Sequence, residues 1–364
     1  MKPFSSVVAA AATSGNSLGS SPKIGAEYDL QPFPTATYAS IVITSLLLPV
    51  LLTSPAFDKL LTRHALGVRA CWVGAFLANL LTVSLPGRFD GQAAAAEKAA
   101  KGDSGRSGSN RAPTYKGGIP WTPVFAPAGW AFAIWGAIFL GEALITAYVG
   151  AVGVPADTVA LGLRAALWWT AGNLYQSLWT FAFRPPFSDH LYVPATLLGL
   201  AAASVLGAHG TVTSWMDAEV NSLWRKAGLL LFRLPLSLHG SWLCAACLLN
   251  LNSWAARVKL PMHTQVAMAM SSAFGAAGLG AALTLSRGDP FIALTFAWAL
   301  SAVGAQTVSA SAREMLKLPA VTSESLALAC RALAKALIAV ALVVPLFRGS
   351  DSVYSSVVMY FAAV

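Results

Sequence analysis

The sequence is poor in charged residues, and this scarcity limits the kinds of fold that it can adopt. Asp, Glu, Lys and Arg together make up 11% of the 364 residues, whereas 56% of the residues are hydrophobic. Soluble domains usually carry about 25% charged residues, so this composition excludes a water-soluble globular protein. A lipid bilayer accommodates such a chain, because the apolar faces of its helices can contact hydrocarbon.

The hydrophobic residues form continuous runs, and these runs predict helices. They are about 17–25 residues long and do not alternate with polar residues, which is typical of membrane-spanning α-helices rather than barrel strands. The expected fold class is all-α, a multi-pass transmembrane helix bundle of about nine spans. The predicted spans are 37–54, 68–86, 125–150, 163–183, 191–209, 227–252, 265–286, 290–311 and 325–347. The final stretch, Val353–Val364, is apolar but too short to span a membrane, and is expected to lie at an interface or to pack against other helices.

Residues that could carry acid–base, redox or metal chemistry are also scarce. The four cysteines all lie in apolar segments, and the CxxC of Cys244 and Cys247 has no second cysteine pair or nearby His. These cysteines are interpreted as small packing residues, and no metal site is expected. General acid–base catalysis needs titratable groups paired in one pocket, and no such constellation is evident, so we expect no enzyme activity. The net charge of +9 comes from basic residues in the gaps between apolar runs, which argues against nucleic-acid binding.

Two regions outside the spans differ in composition from the rest of the chain. Residues 1–36 are rich in Ser, Ala and Gly, and are expected to form a flexible tail or an organelle-targeting segment. Residues 87–119 are rich in Gly and Ser, and are expected to form a flexible aqueous loop. This loop carries the basic residues Arg88, Lys98, Lys101, Arg106, Arg111 and Lys116. Because basic loops stay on the cytosolic side, the N-terminus and this loop should face the cytosol, or the stroma or matrix if the membrane belongs to a plastid or mitochondrion.

Among the charged residues inside predicted spans, Arg331 and Lys335 lie near the start of the last span and are expected to extend to the interface, whereas Glu142 and Arg233 lie deeper in their spans. Glu142 is deep in the span 125–150, and Arg233 is about two turns into the span 227–252. Ionisable groups at such a depth usually face the bundle interior and pair. We therefore hypothesise that Glu142 and Arg233 pair with each other, or that one of them contacts a ligand. The alternative for Arg233 is a side chain that extends to the membrane interface.

Tryptophan is frequent, with 12 residues in the chain, and two clusters stand out. The first, at residues 121–139, reads WTPVFAPAGWAFAIWGAIF and contains Trp130 and Trp135. The second cluster consists of Trp242, Ala246, Asn250 and Trp254. These residues recur every fourth position and therefore lie on one face of a helix. A buried amide in a membrane needs a partner, so this face is either a helix–helix contact or the wall of a ligand pocket.

Four short segments together resemble the TspO/MBR family, the tryptophan-rich sensory proteins that include the translocator protein. Two resemble the family's second-helix and fifth-helix motifs: FAPAGWAFAIWG at Phe125–Gly136 and WLCAACLLNLNSW at Trp242–Trp254. The other two resemble the end of the first helix and the third helix: FLANLLTVSLPG at Phe76–Gly87 and GNLYQSLWTFAF at Gly172–Phe183. The segments occur in the family's order and are most similar to its longer bacterial and algal branch.

The resemblance implies a five-helix TspO-like core at residues 66–256, with an extra span at 37–65 and additional helices at 257–364. It also implies a ligand cavity that opens toward the loop between the first and second helices of the core, residues 87–124, with a wall formed by Trp130, Trp135, Asn173, Trp179, Trp242, Ala246 and Asn250. Indole rings can stack on a flat macrocycle, so the expected ligand is a porphyrin, haem or another hydrophobic small molecule. His239 is the best candidate for an axial ligand to haem iron, with a helix-contact role as the alternative.

The function that the resemblance implies is that of an integral membrane protein that binds tetrapyrroles and transports or senses them. Two alternatives stay open. A secondary transporter of a small solute would have discontinuous helices and a polar site at the membrane midplane, and a structural subunit of a membrane assembly would have ligand-free helix contacts. The expected partners are the lipid bilayer and a hydrophobic ligand, and a homodimer or a larger membrane complex also stays open.

Overall fold

The computed structural model describes residues 65–85, 88–89, 121–151, 156–218 and 223–347. These residues form nine α-helices and two short 3-10 helices. The α-helices are α1 (Ala65–Ser84), α2 (Ile134–Gly150), α3 (Ala156–Ala182), α4 (Tyr192–Ala218), α5 (Leu223–Arg257), α6 (Met262–Arg287), α7 (Pro290–Thr307), α8 (Ala310–Leu316) and α9 (Ala320–Phe347). The 3-10 helices, Gly129–Ala133 and Pro185–His190, lie directly before α2 and α4.

The helices confirm the expected fold class, a multi-pass bundle of membrane helices. Within the described residues, six helices are long and apolar enough to cross a membrane, and Arg69–Ser84 is a shorter apolar helix. Eight long helices overlap the predicted spans from 68–86 onward. The first predicted span, 37–54, lies outside the described residues, as do the tail 1–36, most of the loop 87–119 and the segment Val353–Val364.

The span predicted at 125–150 becomes helical later than expected. Pro127 has no N–H to donate to a helix, and Ala128 has an extended backbone. The N–H of Ala128 instead donates to the carbonyl oxygen of Ala302 in α7, at 3.0 Å. The start of this segment is therefore fixed by a contact with α7, and the chain passes through the first 3-10 helix before α2 begins.

The other predicted spans also differ from the helices at their ends. α4 and α5 extend beyond the predicted spans 191–209 and 227–252, because polar residues continue both helices past the apolar runs. The span predicted at 290–311 is too long, since α7 ends at Thr307. Ser309 then starts the short helix α8, where its hydroxyl caps the first turn.

The first five α-helices form a closed ring. α1 contacts α2 and α3, α3 contacts α4, α4 contacts α5, and α5 contacts α2. A second group consists of α6, α7 and α9, each of which contacts the other two. α5 joins the two groups, because it also contacts α6 and α7. The ring covers the residues 66–256, whose boundaries as a TspO-like core stay a prediction.

Aromatic stacking and amide hydrogen bonds hold α1 against α3. Trp72 stacks on Trp169, with ring centroids 4.8 Å apart, and both side chains are fully buried. About two turns further along α1, the amide of Asn79 donates to Asn173 Oδ1 at 3.0 Å and to Gln176 Oε1 at 2.9 Å. Such hydrogen bonds fix one helix against another in lipid, where apolar surface alone does not favour protein over lipid contacts. They hold Asn173 in the contact between α1 and α3.

Candidate functional site

α2 and α5 approach closely at Gly141 and Pro235. A Cβ atom on Gly141 would lie 2.5 Å from Pro235 Cγ, so a glycine is needed for this separation of the helices. The close approach brings Glu142, the next residue of α2, beside His239, which lies one turn beyond Pro235 on α5. Glu142 Oε1 is hydrogen-bonded to His239 Nδ1, and both side chains are fully buried.

Aromatic rings surround this pair of residues. The indole of Trp135 lies edge-on to the imidazole of His239 and to the indole of Trp242, with ring centroids 5.7 Å and 6.4 Å apart. Trp242 also meets Phe132 of the first 3-10 helix edge-on, at 5.7 Å between centroids. Trp242 is 2% exposed, whereas Trp135 is partly exposed. α7 covers the cluster with two alanine side chains, so the three helices α2, α5 and α7 meet here.

Three buried polar atoms of this cluster have no hydrogen-bond partner among the described residues: Glu142 Oε2, His239 Nε2 and Trp242 Nε1. A buried donor or acceptor that stays unpaired costs about 1–3 kcal/mol, and native proteins usually avoid this cost. Unpaired groups within one buried cluster are therefore candidates for contacts with a ligand. We name Trp135, Glu142, His239 and Trp242 the α2–α5 cluster, and regard it as the candidate functional site.

Three other residues of the predicted ligand wall lie together towards the C-terminal ends of α3 and α5. Trp179 Nε1 donates to Asn250 Oδ1 at 3.4 Å, and Asn250 Nδ2 donates to the carbonyl oxygen of Ala246 at 3.0 Å. Arg88, at the start of the loop, places its Cζ 5.4 Å from the centre of the Trp179 ring. The buried amide of Asn250 thus has its partner on α3, although α3 and α5 are not adjacent in the ring of helices.

The remaining two predicted wall residues have other surroundings. Asn173 is fully buried, in the contact between α1 and α3. Trp130 is 47% exposed and meets Trp298 of α7 edge-on, with ring centroids 4.6 Å apart. The structure therefore divides the predicted wall into the pair Trp135 and Trp242, the contact around Asn250, and these two separate positions.

Arg233 belongs to a second buried polar network, which is centred on Asp289. The Oδ2 atom of Asp289 is hydrogen-bonded to His209 Nε2 at 2.7 Å, to Arg233 Nε at 3.0 Å and to Ser237 Oγ at 2.5 Å. Its Oδ1 atom accepts the N–H of Phe291 at 2.9 Å and thereby caps α7. The network ties α4 and α5 to the turn between α6 and α7.

The prediction that Glu142 and Arg233 pair with each other is therefore wrong. Both side chains are buried, as expected inside a bundle, but Glu142 pairs with His239 and Arg233 pairs with Asp289. The reason is the geometry of α5. Six residues of α-helix rotate a side chain by about 240° and move it by about 9 Å, so Arg233 cannot share the face on which His239 meets α2.

The contacts of His209 define the protonation of its ring. Arg287 Nη1 donates to His209 Nδ1 at 3.0 Å, so Nδ1 is unprotonated and Nε2 carries the proton that is donated to Asp289. Burial by itself would raise the pKa of Asp289. The hydrogen bond from His209, with the positive charge of Arg233 and the hydroxyl of Ser237, instead holds this pKa below its ordinary value. Asp289 is consequently ionised at neutral pH.

Sequence reasoning found the two buried charges but did not pair them with their partners. His209 and His239 lie inside predicted spans, and the rule that intramembrane ionisable groups face the interior and pair would have singled out both. Asp289 lies in a short turn between two spans, where exposure is the ordinary interpretation. No local signal indicates that two arginines and a histidine surround it.

Histidine ring nitrogens differ in their availability to a metal ion. Within the described ranges, no group of three or more His, Cys, Asp or Glu side chains could hold a metal ion by itself. Both ring nitrogens of the buried His209 are hydrogen-bonded. His239, the other buried histidine of the described chain, keeps Nε2 unpaired.

A family model described as TSPO-like protein matches residues 119–343 of the chain. The match covers more than half of the 364 residues and extends from α2 into α9, so that it includes both the α2–α5 cluster and the Asp289 network. α1 lies outside it. No curated protein and no solved structure matches the chain.

Proposed function

This chain belongs to the family of TSPO-like proteins, and from this premise we propose that it binds tetrapyrroles or similar flat hydrophobic molecules within its helix bundle. Transport or sensing of these molecules would follow from the binding. The observation that carries the proposal is the α2–α5 cluster, in which two tryptophans lie beside three buried polar atoms without described partners. Apolar aromatic walls with a few polar groups are typical of small-molecule sites.

The chemistry of this site suits a flat conjugated ring. Indole rings stack on or meet the edge of other aromatic systems, and such contacts contribute about 0.5–1.5 kcal/mol beyond the burial of area. The polar atoms of the cluster would fix the orientation of the bound molecule.

We expect Trp242→Leu to weaken protoporphyrin binding by about tenfold, because the substitution removes an indole from the middle of the cluster. The measurement is a titration of the purified protein with protoporphyrin, followed by quenching of tryptophan fluorescence. Trp130→Leu is the matched control, and its effect should be smaller, since Trp130 is half-exposed and its ring contacts Trp298. A protein that does not bind protoporphyrin, or a Trp242→Leu variant with the affinity of the wild type, would contradict the proposal.

We further infer that the loop 87–119 faces the cytosol, or the stroma or matrix of an organelle, because basic residues accumulate on that side of a membrane. A single cysteine introduced at Ser107 should react with a membrane-impermeant thiol reagent from that side of sealed vesicles. Reaction from the opposite side alone would reverse the inferred orientation. The serine- and alanine-rich residues 1–36 favour an organelle membrane.

A further inference from the structure

We propose that one side of α9 binds the phosphate group of an anionic phospholipid through Arg331 and Lys335. The site lies outside the α2–α5 cluster, and the inference does not depend on tetrapyrrole binding. It assigns a partner to two exposed positive charges that the proposed function leaves unused. We name the side of the helix that carries them the outer α9 face, which comprises Leu328, Arg331, Lys335, Ile338 and Leu342.

The outer α9 face is a continuous exposed surface. Its five residues recur every third or fourth position, so they share one side of the helix. All five are exposed, and Leu328 is the most exposed of its three apolar residues, at 69%. Another side of α9, which includes the buried Cys330 and Leu337, packs against α6 and α7. The outer α9 face is therefore open to lipid.

Arg331 and Lys335 form no ion pair within the part of the chain that the structure describes. Glu324 lies on the same side of the helix, but about two turns, or about 10 Å, before Arg331, and it pairs with Arg313 at 3.3 Å. The two cations are about one turn apart, and like charges at this spacing repel each other on a helix surface. An anion bound between them would remove the repulsion.

The position of these two cations differs from that of other exposed basic residues in the described chain. Lys259 and Lys317 lie at the ends of α5 and α8, where both have a left-handed backbone. Arg331 and Lys335 instead project from the side of a long apolar helix. Charges at such positions are costly next to hydrocarbon and need compensation.

The depth of the two cations suits the headgroup region of a membrane. α7 has 18 residues and is about 27 Å long, close to the thickness of the hydrocarbon core. A Cβ atom on Gly304 would lie 3.4 Å from Arg331 Cγ, so Arg331 is level with the last turn of α7. Lys335 is one turn deeper, but helical side chains lean toward the N-terminus of their helix, which for α9 lies at this boundary. Its ammonium group can therefore reach the level of Arg331.

The cations lie at the end of the bundle that carries the basic loop 87–119. Just after this loop, the hydroxyl of Thr122 contacts Sδ of Met315 in α8 at 3.4 Å, and α8 leads into α9. Basic sites on the cytosolic or matrix side of membrane helices bind anionic headgroups, because the lipids of that leaflet carry negative charge. The orientation inferred above places Arg331 and Lys335 on this side.

The order of side chains along the outer α9 face suits a phospholipid better than a free anion. The guanidinium group of Arg331 can donate two hydrogen bonds to a phosphate, and the ammonium group of Lys335 adds a compact positive charge. Ile338 and Leu342 continue the face deeper into the membrane and are 41% and 44% exposed. One molecule would thus place its phosphate on the cations and an acyl chain along the apolar residues.

Phosphatidylglycerol and phosphatidylcholine with the same acyl chains test this site, because both contain a phosphate but only the first has a net negative charge. The full-length protein in a neutral detergent is titrated with each lipid, and native mass spectrometry measures the bound lipid. We expect phosphatidylglycerol to bind about 10–25-fold more tightly, since each basic residue near an anionic headgroup contributes about fivefold. Joint substitution of Arg331→Gln and Lys335→Gln should abolish this preference without changing the binding of phosphatidylcholine.

Lys259→Gln is the matched control, since it removes an exposed cation that lies in a turn at the same end of the bundle. It should keep the preference of the wild type for phosphatidylglycerol. A second variant combines Arg331→Lys with Lys335→Arg, which retains both charges and should therefore retain most of the preference. This variant keeps the proposal testable if the double glutamine variant does not fold, because loss of the preference in it would contradict charge recognition.

Equal affinities of the wild type for the two lipids, or a preference that the double glutamine substitution leaves unchanged, would overturn the lipid site. Displacement of phosphatidylglycerol by excess inorganic phosphate would assign the cations to a free anion and would also overturn it. A wild type without lipid preference, but with a bound protein partner that the double glutamine variant loses, would assign the outer α9 face to that partner instead.

Discussion

Replacing Asp289 with asparagine is expected to lower the free energy of unfolding by about 3–5 kcal/mol, the usual cost of breaking a buried charge pair. The Asp289 carboxylate is fully buried and is hydrogen-bonded to His209, Arg233 and Ser237. Asparagine has nearly the same shape but removes the negative charge that compensates Arg233. The measurement is unfolding of the purified protein in detergent by a denaturant, monitored by tryptophan fluorescence.

Asp189→Asn is the matched control for this substitution. It breaks the ion pair of Asp189 with Arg257, whose N–O distance is 2.6 Å and whose side chains are 32% and 36% exposed. Exposed ion pairs usually contribute about 0–1 kcal/mol, so the control should change stability little. Equal losses in the two variants would mean that the Asp289 network does not stabilise the fold.

A comparison of the wild type with Asp289→Asn also reports how the stabilisation by the Asp289 network depends on pH. Because the pKa of Asp289 lies below its ordinary value in the folded protein, the unfolded chain binds a proton more readily than the folded chain. The stabilisation is therefore fully present above the ordinary range of Asp and is lost as the pH falls below about 4. Acidification should destabilise the wild type more steeply than Asp289→Asn, and parallel curves would contradict this account.

Gly141→Ala is expected to destabilise the bundle by about 1–3 kcal/mol through overpacking. The added Cβ would lie 2.5 Å from Pro235 Cγ and 2.9 Å from Pro235 Cβ, and the proline ring cannot turn aside. α2 and α5 would have to separate, which would also pull Glu142 away from His239. Denaturant unfolding measures the loss of stability, and the protoporphyrin titration measures the effect on the α2–α5 cluster.

Gly136→Ala provides the control within the same helix. A Cβ on Gly136 would have no heavy atom within 4 Å beyond its chain neighbours and the adjacent backbone of α2, so the substitution adds only the higher helix propensity of alanine, about 0.5–1 kcal/mol. Gly141→Ala receives the same propensity gain, and the difference between the two variants isolates the close approach of the helices. A Gly141→Ala protein as stable as Gly136→Ala would refute a tight contact at Pro235.

Composition and the lengths of the apolar runs were sufficient to predict the membrane bundle, because burial in lipid is a property of whole segments. Helix ends were less predictable, since tertiary contacts decide where a helix starts. Before α2, the donation of the Ala128 N–H to Ala302 of α7 delays the helix, and no neighbouring residue encodes that contact.

The sequence resemblance to the TspO/MBR family is confirmed by the family match over residues 119–343. The similarity to the longer branch and the core boundaries 66–256 stay predictions. The aromatic motifs were visible in the sequence because their spacing is local. The division of these residues into separate groups, with Trp135 beside Trp242 and Trp130 beside Trp298, depends on which helices become neighbours.

The sequence by itself determined that this protein is a bundle of membrane helices of the TspO type, with charges buried in its interior. Only the tertiary structure decided which groups pair. Glu142 and His239 are 97 residues apart in the chain, and Arg233 and Asp289 are 56 residues apart. Helical periodicity tells which residues share a face, but it does not tell which helix covers that face. The close contact of α2 with α5 placed the carboxylate of Glu142 beside the imidazole of His239 and not beside the guanidinium of Arg233.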